Sequence, residues 1–268
     1  MEDNLLVGAS HLKKSFSIDR KNSIYAVNDV SLEIMKGETL ALVGGSGCGK
    51  STLARLLIGM IKPDEGTVTF EGREITGLSE KEFMPYRREM QMVFQDPASS
   101  LDPRMTVYDI VAEPLRTWKI YGSRSRMRDR IYELLNMVEL KEDCLGRYPH
   151  QFSGGQKQRI GIARAIAANP KLIVCDESVS ALDVCVQAQI LNLLKRLKNR
   201  LGLTCLFISH DLSVVSFIAD RVCVMKDGSI CETAAMDKLY TAPEHEYTKY
   251  LLSSIPVIDT GDIAVNSD

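Results

Sequence analysis

The sequence predicts an α/β protein: a mainly parallel sheet covered by helices on both faces, an antiparallel β portion near the N-terminus, and an inserted helical subdomain. Three observations carry this. Apolar runs of strand type at 39–43, 172–175, 204–208 and 221–225 alternate with amphipathic helical stretches. A glycine-rich loop joins the first of these runs directly to a helix. Between them lies a charged middle section in which Ile131, Leu134, Leu135 and Val138 recur at helical spacing.

Taken in order, the first third reads as short β segments separated by Gly, Asn and Asp turns, ending in Thr39-Leu40-Ala41-Leu42-Val43. That run is apolar almost throughout, the pattern of a strand buried on both faces. The loop after it leads into a helix expected over 51–61 and closed by Lys62-Pro63. Residues 96–156 are expected to form the helical insert, which leaves 5–95 and 157–232 as the α/β core. Within the second part a helix with Ile190, Leu194, Leu197 and Leu201 on one face separates the runs at 172–175 and 204–208. Residues 233–268 form a C-terminal extension, and its last stretch, 259–268, is expected to be loose.

Composition narrows the function classes. A hydrophobic share of 45% and a charged share of 25% over 268 residues are those of an ordinary globular chain with room for one large domain and an embedded subdomain. The 33 basic residues against 35 acidic ones give a net charge of −2, which excludes a broad attraction to nucleic acid or to anionic lipid. The first residues, Met1-Glu2-Asp3-Asn4, lack the basic stretch and apolar core of a secretory signal, and no apolar run is long enough to span a bilayer. A membrane role is therefore expected to come through a partner. The seven cysteines are scattered without a C-x-x-C pair, and several sit in apolar runs, so a reducing cytoplasm is expected, with neither a disulfide framework nor a metal cluster.

Gly44-Gly45-Ser46-Gly47-Cys48-Gly49-Lys50-Ser51 fits G-x-x-x-x-G-K-[ST] and lies between a strand and a helix, the context that this phosphate loop requires. The glycines let backbone N–H groups turn inward around phosphate oxygens, the helix start adds a favourable dipole, Lys50 reaches the terminal phosphates, and the Ser51 hydroxyl can ligate Mg²⁺. With Thr52 on the same helix start, these nine residues make the expected phosphate-binding set. Cys48 sits in a positive field that favours thiolate; a buried thiol chosen for size is the alternative. The run 172–175 ends in Asp176-Glu177, which places one carboxylate for the Mg²⁺ shell and a second to polarise a water.

Phe152-Ser153-Gly154-Gly155-Gln156, ahead of a helix carrying Ile160, Ala163 and Ala167, resembles the signature of the ABC ATPases, usually written with Leu where this chain has Phe152. Ser153 and the amides of Gly154 and Gly155 at a helix start form a second anion site. One ATP has little use for two such sites from one chain, so the signature is expected to face the ATP of a second subunit. Other motifs of the family follow in order. Tyr25 matches the aromatic that stacks on adenine, and Gln95 in Val93-Phe94-Gln95-Asp96-Pro97 matches the glutamine loop. Ser180-Ala181-Leu182-Asp183 matches the loop that crosses the dimer interface, and His210 in Ile208-Ser209-His210-Asp211 matches the switch histidine at the γ-phosphate.

Finer features resemble the dipeptide, oligopeptide and nickel importer ATPases: Phe94-Gln95-Asp96-Pro97-Ala98-Ser99-Ser100-Leu101-Asp102-Pro103-Arg104, Tyr148-Pro149-His150-Gln151 ahead of the signature, and the tail Ala242-Pro243-Glu244-His245-Glu246-Tyr247-Thr248. The family usually reads His-Pro-Tyr-Thr in that tail, and Glu246 takes the proline's place, a departure that bears on how the tail docks. The stretches 46–57, 88–95 and 205–212 look especially like the nickel-import ATPase. The resemblance implies an ATPase using ATP and Mg²⁺: Lys50 and the loop amides hold phosphate, Ser51, Asp176 and Gln95 serve Mg²⁺, Glu177 activates water, and His210 steadies the γ-phosphate. Tyr25, the signature 153–156 and Asp183 complete the nucleotide site. The partners implied are a second ATPase subunit, the same or paralogous, two transmembrane permease subunits and an extracytoplasmic solute-binding protein. The assembly is expected at the cytoplasmic face of a bacterial-type inner membrane. A non-transport ABC ATPase acting on nucleic acid or ribosomes would need long coiled-coil insertions or a second phosphate loop, and the sequence has neither.

Overall fold

A computed structural model describes residues 4–17 and 23–254; the stretch 259–268, expected to be loose, lies outside them. The chain opens with two 13-residue strands, β1 (Leu5–Ser17) and β2 (Ser23–Met35), paired antiparallel. The short segments expected here are thus long strands carrying irregularities. His11 and Asp29 take left-handed backbone conformations (φ 52° and 54°), and the register shifts around these turn-forming residues as a bulge does, without ending the strand. With β4 (Glu65–Phe70) and β5 (Arg73–Glu74) they form a four-stranded sheet in the order β2-β1-β4-β5.

The second sheet has six strands. In chain order they are β3 (Thr39–Val43), β6 (Met90–Val93), β7 (Leu172–Asp176), β8 (Thr204–Ser209), β9 (Arg221–Lys226) and β10 (Ser229–Ala235), arranged as β10-β9-β3-β8-β7-β6. All neighbours pair parallel except the antiparallel edge strand β10. The alternation of side chains along each strand divides the core in two. Leu40, Leu42, Leu172, Val174, Leu206 and Ile208 share a cluster with β1, β2, β4 and α1 (Lys50–Leu57), so α1 lies between the two sheets. Ala41, Val43, Ile173, Cys175 and Phe207 belong to the cluster on the opposite face. Leu206 is fully buried, and truncation to alanine at such a position costs about 2–5 kcal/mol.

Helix α1 ends at Leu57, short of the expected 61, because Gly59 turns the chain through a left-handed conformation (φ 65°) against the Phe83 ring. Phe83 belongs to α2 (Glu80–Glu89), which a Ser79–Glu82 capping box opens. The middle of the chain is helical: α3 (Pro97–Ser100), α4 (Val107–Thr117) and α5 (Arg124–Met137) precede α6 (Gly154–Ile166). Its apolar residues Val111, Leu134 and Leu135 join Ile162 of α6 and Phe207 of the sheet in one cluster, so the insert and the sheet share a core. The chain continues with α7 (Val184–Leu201), α8 (Leu212–Ile218), α9 (Met236–Thr241) and α10 (Glu246–Ser253).

What matters for function is the carboxyl edge of the parallel strands. Val43 pairs with Ser209, Asp176 with Ile208, and Val93 with Cys175. Strands β3, β6, β7 and β8 therefore end side by side, and the residues that follow each of them emerge at one place, the usual position of a ligand site in an open parallel sheet.

Candidate functional site

The loop from 44 to 49 closes over its own lysine. Lys50 is buried, and its Nζ donates to the carbonyls of Gly44 (2.9 Å) and Gly45 (2.8 Å). Gly49 sits at φ 106°, where a Cβ would come within 1.9 Å of the Ala26 carbonyl oxygen, so both the backbone conformation and the close approach of β2 demand glycine. A cleft of about 300 Å³ opens here, lined by Ala26, residues of the loop and of the start of α1 as far as Thr52, Gln95 and Glu177. The Cys48 thiol packs with the core between the two sheets, and the Lys50 ammonium lies 3.8 Å from its sulfur, so burial and a positive neighbour, the features of the two readings, are both present.

The charged groups follow the strand ends. Ser51 Oγ donates to Asp176 Oδ1 at 2.8 Å, and Gln95 Nε2 donates to Glu177 Oε2 at 2.9 Å. His210 Nδ1 lies 3.5 Å from Glu177 Oε1 on an exposed side chain. Burial raises the Asp176 carboxyl above the ordinary aspartate range; the Ser51 hydrogen bond and the charges of Arg55 and Lys50 oppose this without cancelling it, while Glu177 adds to it. Glu177 holds a left-handed backbone (φ 44°), fixed by its N–H to Ile208 O (3.1 Å) and by the Ser180 hydroxyl on its carbonyl (2.9 Å). For a residue with a Cβ such a conformation costs about 1–3 kcal/mol, and it is a common mark of a working site. The constellation combines a glycine-rich loop closed on its lysine, the adjacent oxygens of Ser51 and Asp176, and the Glu177 carboxylate on the same cleft.

Other expected residues stand apart from this cleft. The signature opens α6 with a capping box: Ser153 Oγ accepts the Gln156 N–H (3.4 Å) and Gln156 Oε1 accepts the Ser153 N–H (3.0 Å). Gly154 packs near Leu182, and a Cβ on Gly155 would lie 2.4 Å from Val186, so these glycines also let α6 approach the start of α7. Asp183 caps α7 through Val186 N–H at 2.9 Å. Phe152, in the place of the family's leucine, is buried in the shared core. Tyr25 is 54% exposed on β2, one residue before Ala26 of the cleft wall.

Three features escaped the sequence reading. Arg55 lies one helical turn beyond Ser51 and lowers the Asp176 carboxyl; that i, i+4 spacing was the available signal. Tyr247 of α10 accepts the Gly45 N–H at 3.0 Å. A groove of about 390 Å³, lined in part by Met60, Met92, Phe94 and Trp118 with Arg87 and Arg164 at its walls, opens beside Gln95; no periodicity marks it, since its walls come from distant segments.

The ABC transporter family model matches residues 27–180. A putative oligopeptide transport ATP-binding protein of Bacillus subtilis is 52% identical over 254 residues, covering 95% of this chain and 77% of its own length. The oligopeptide transport ATP-binding protein OppF of Escherichia coli is 50% identical over 237 residues, covering 88% of this chain and 71% of its own. Among solved structures, a dimeric post-hydrolysis state of the ATP-binding cassette MJ0796 bound to ADP and Pi superposes with a TM-score of 0.78 at 34% identity, over 86% of this chain and 99% of that one. The chain belongs to the ABC transporter family, as an ATP-binding subunit of its dipeptide and oligopeptide importer branch.

Proposed function

We propose that this ATPase subunit clamps Mg-ATP between its own phosphate loop and the 153–156 signature of a second ATPase subunit, and so drives uptake of di- or oligopeptides through two membrane-spanning permease subunits. An extracytoplasmic solute-binding protein delivers the peptide, and the chain works at the cytoplasmic face of the inner membrane. Peptide is preferred over nickel as cargo because the relatives described above carry oligopeptide names. No helix among the described residues is long and apolar enough to cross a membrane, so in this scheme the partners supply the crossing. The groove beside Gln95 offers them a seat for a short helix: Met60, Met92, Phe94 and Trp118 give it apolar walls, next to the residue that reaches the cleft.

One observation carries the paired site. The cleft that holds Lys50, Ser51 and Glu177 is lined by none of the signature residues, although the signature has the form of an anion-binding helix start. Two incomplete halves in one chain complete each other when two chains close head to tail, and the similar cassette above is itself dimeric with ADP and Pi bound.

The donor set fits Mg²⁺. Ser51 Oγ and Asp176 Oδ1 are adjacent hard oxygens, and the buried Asp176 carboxylate lacks a full counter-charge. When bound, Mg²⁺ neutralises charge on the β- and γ-phosphates. Around it Lys50 and the loop amides bind phosphate oxygens, Ser51 and Asp176 hold ligand oxygens in place, and Gln95 orients the Glu177 carboxylate. Glu177 takes a proton from the attacking water, and His210 steadies the γ-phosphate beside it.

Complementation tests the paired site. Lys50→Ala leaves a working signature and Ser153→Arg leaves a working phosphate loop, so each alone should be nearly inactive, while a mixture forms one intact site per mixed dimer and recovers part of the ATPase activity. Where the natural mate is a different chain, the pair is tested within the assembled transporter. Hydrolysis per chain that does not depend on concentration, together with an undiminished Ser153→Arg protein, overturns the reading.

A further inference from the structure

The C-terminal extension returns to the phosphate loop. Glu232 of β10 is buried and accepts the backbone N–H groups of Glu244 and His245, both at 2.9 Å. Burial pushes its carboxyl up, yet the hydrogen bonds, that of the Glu244 amide foremost, hold it below the ordinary glutamate range, so the anchor is an ionised one. Pinned there, His245 caps α10 by accepting the Tyr247 N–H at 3.0 Å. Glu246 fills the first helical position, where proline is tolerated because no helical bond needs that N–H, and where an acidic side chain suits the helix dipole. The replacement of the family's proline therefore leaves the docking intact.

From this anchored first turn Tyr247 accepts the N–H of Gly45 at 3.0 Å, across 202 residues of sequence. Its ring lies under the Lys226 ammonium (5.2 Å) and is stacked with Tyr250 (6.4 Å). The Gly45 N–H and the Gly44 carbonyl belong to one planar trans peptide, so they face opposite ways. Lys50 holds the carbonyl end at 2.9 Å and Tyr247 holds the amide end. Lys50 Nζ carries three N–H donors and spends two of them on the carbonyls of Gly44 and Gly45, so the third can meet a phosphate while Tyr247 holds the amide end of the same peptide. Tyr247 is not among the residues lining the cleft, so its action on a nucleotide passes through the loop.

We propose that Tyr247 is a positioning residue of the phosphate loop: with Lys50 on the carbonyl end, it keeps the Gly44–Gly45 peptide in its ATP-ready orientation by holding the amide end. The C-terminal extension is then a working part of the ATP site. This inference rests on the reading that the loop binds ATP phosphates.

The test uses the full chain, alone for binding and within the assembled transporter for turnover. Tyr247→Phe keeps the ring and its contacts with Lys226 and Tyr250 and removes only the acceptor oxygen. The loop then samples other orientations, and apparent affinity falls with the competent fraction. One hydrogen bond sets the scale, so Kd and KM for ATP should rise about 3- to 10-fold. At saturating ATP kcat should stay within about twofold of wild type, because the interaction is the same in the ground and transition states. Amide hydrogen exchange of the nucleotide-free protein should quicken at 44–46 and not in β3. Glu232→Gln weakens the anchor without touching Tyr247, so it should raise Kd in the same direction by a smaller factor, and it decides the matter if Tyr247→Phe does not fold. Lys50→Ala is the reference: if it binds ATP like wild type, the phosphate-site reading itself fails. If Lys50→Ala loses binding while the other two variants keep wild-type Kd and exchange, or if Tyr247→Phe lowers kcat with KM unchanged, the inference about Tyr247 alone is overturned.

Discussion

Glu177→Gln removes a base and leaves its outline in place. The carboxylate accepts from Gln95 Nε2 at 2.9 Å through one oxygen and lies 3.5 Å from His210 Nδ1 through the other. In the variant the amide oxygen can keep the Gln95 bond while the NH₂ group faces the histidine nitrogen, and the phosphate loop is untouched, so ATP affinity should hold. An amide nitrogen cannot take a proton from water. A positioned general base supplies about 10²–10⁴ of rate, or about 2.7–5.4 kcal/mol at 1.36 kcal/mol per decade. Because Gln95 already orients the carboxylate before any nucleotide arrives, the loss should fall on kcat with KM little changed. Phosphate release at saturating Mg-ATP, measured beside equilibrium ATP binding, checks both halves. A kcat within about tenfold of wild type at unchanged affinity would refute the base role.

Two further substitutions follow from the buried side chains. A carboxyl raised on folding, as in Asp176, contributes stability that is full below its ordinary pKa of 3.8 and is lost as the pH rises through its folded value. At pH 7 the ionised Asp176 therefore weakens the nucleotide-free fold: Asp176→Asn should raise Tm at pH 7, lose that gain toward pH 4, and lower turnover by more than about 100-fold. A Tm below wild type at pH 7 contradicts the desolvation argument. Among the cysteines Cys185 is exposed and Cys48 buried, so a maleimide should label Cys185 first, and Cys185→Ser protein should keep its ATPase activity through the same treatment. Rapid labelling of Cys48 that Mg-ATP blocks would instead place its thiol in the cleft.

The phosphate loop, the Asp176–Glu177 pair and the parallel strands were legible because each is a local pattern: a fixed spacing, or an apolar run whose length and flanks identify it. His210 and Gln95 were legible through family resemblance, and the geometry brings both to Glu177. What stayed hidden depends on pairing between distant segments. Nothing in the residues of β1 announces that it sits between β2 and β4, and its turn-like residues suggested breaks where the strand bulges. Gly59 ended α1 early because a left-handed residue beside Phe83 outweighs the apolar pattern that runs on to Ile61. The role of Tyr247 was invisible for the same reason: its partner is a backbone amide, and an amide has no sequence signature.

The enclosure of α1 between two sheets bears on how the protein is made. Thr39 of β3 pairs with Cys205 and Leu40 with Arg221, so the strand that carries the phosphate loop has no neighbour until β8 has been made, at residue 209, and lacks its second until residue 226. Loop closures of that span are slow. Until they occur, Leu53, Ala54, Leu56 and Leu57 have a lid from β1, β2 and β4 but no floor. A nascent chain therefore cannot shape its nucleotide cradle early and cannot consume ATP half-made. The same delay leaves an apolar helix face and an open strand edge uncovered until β8 is made.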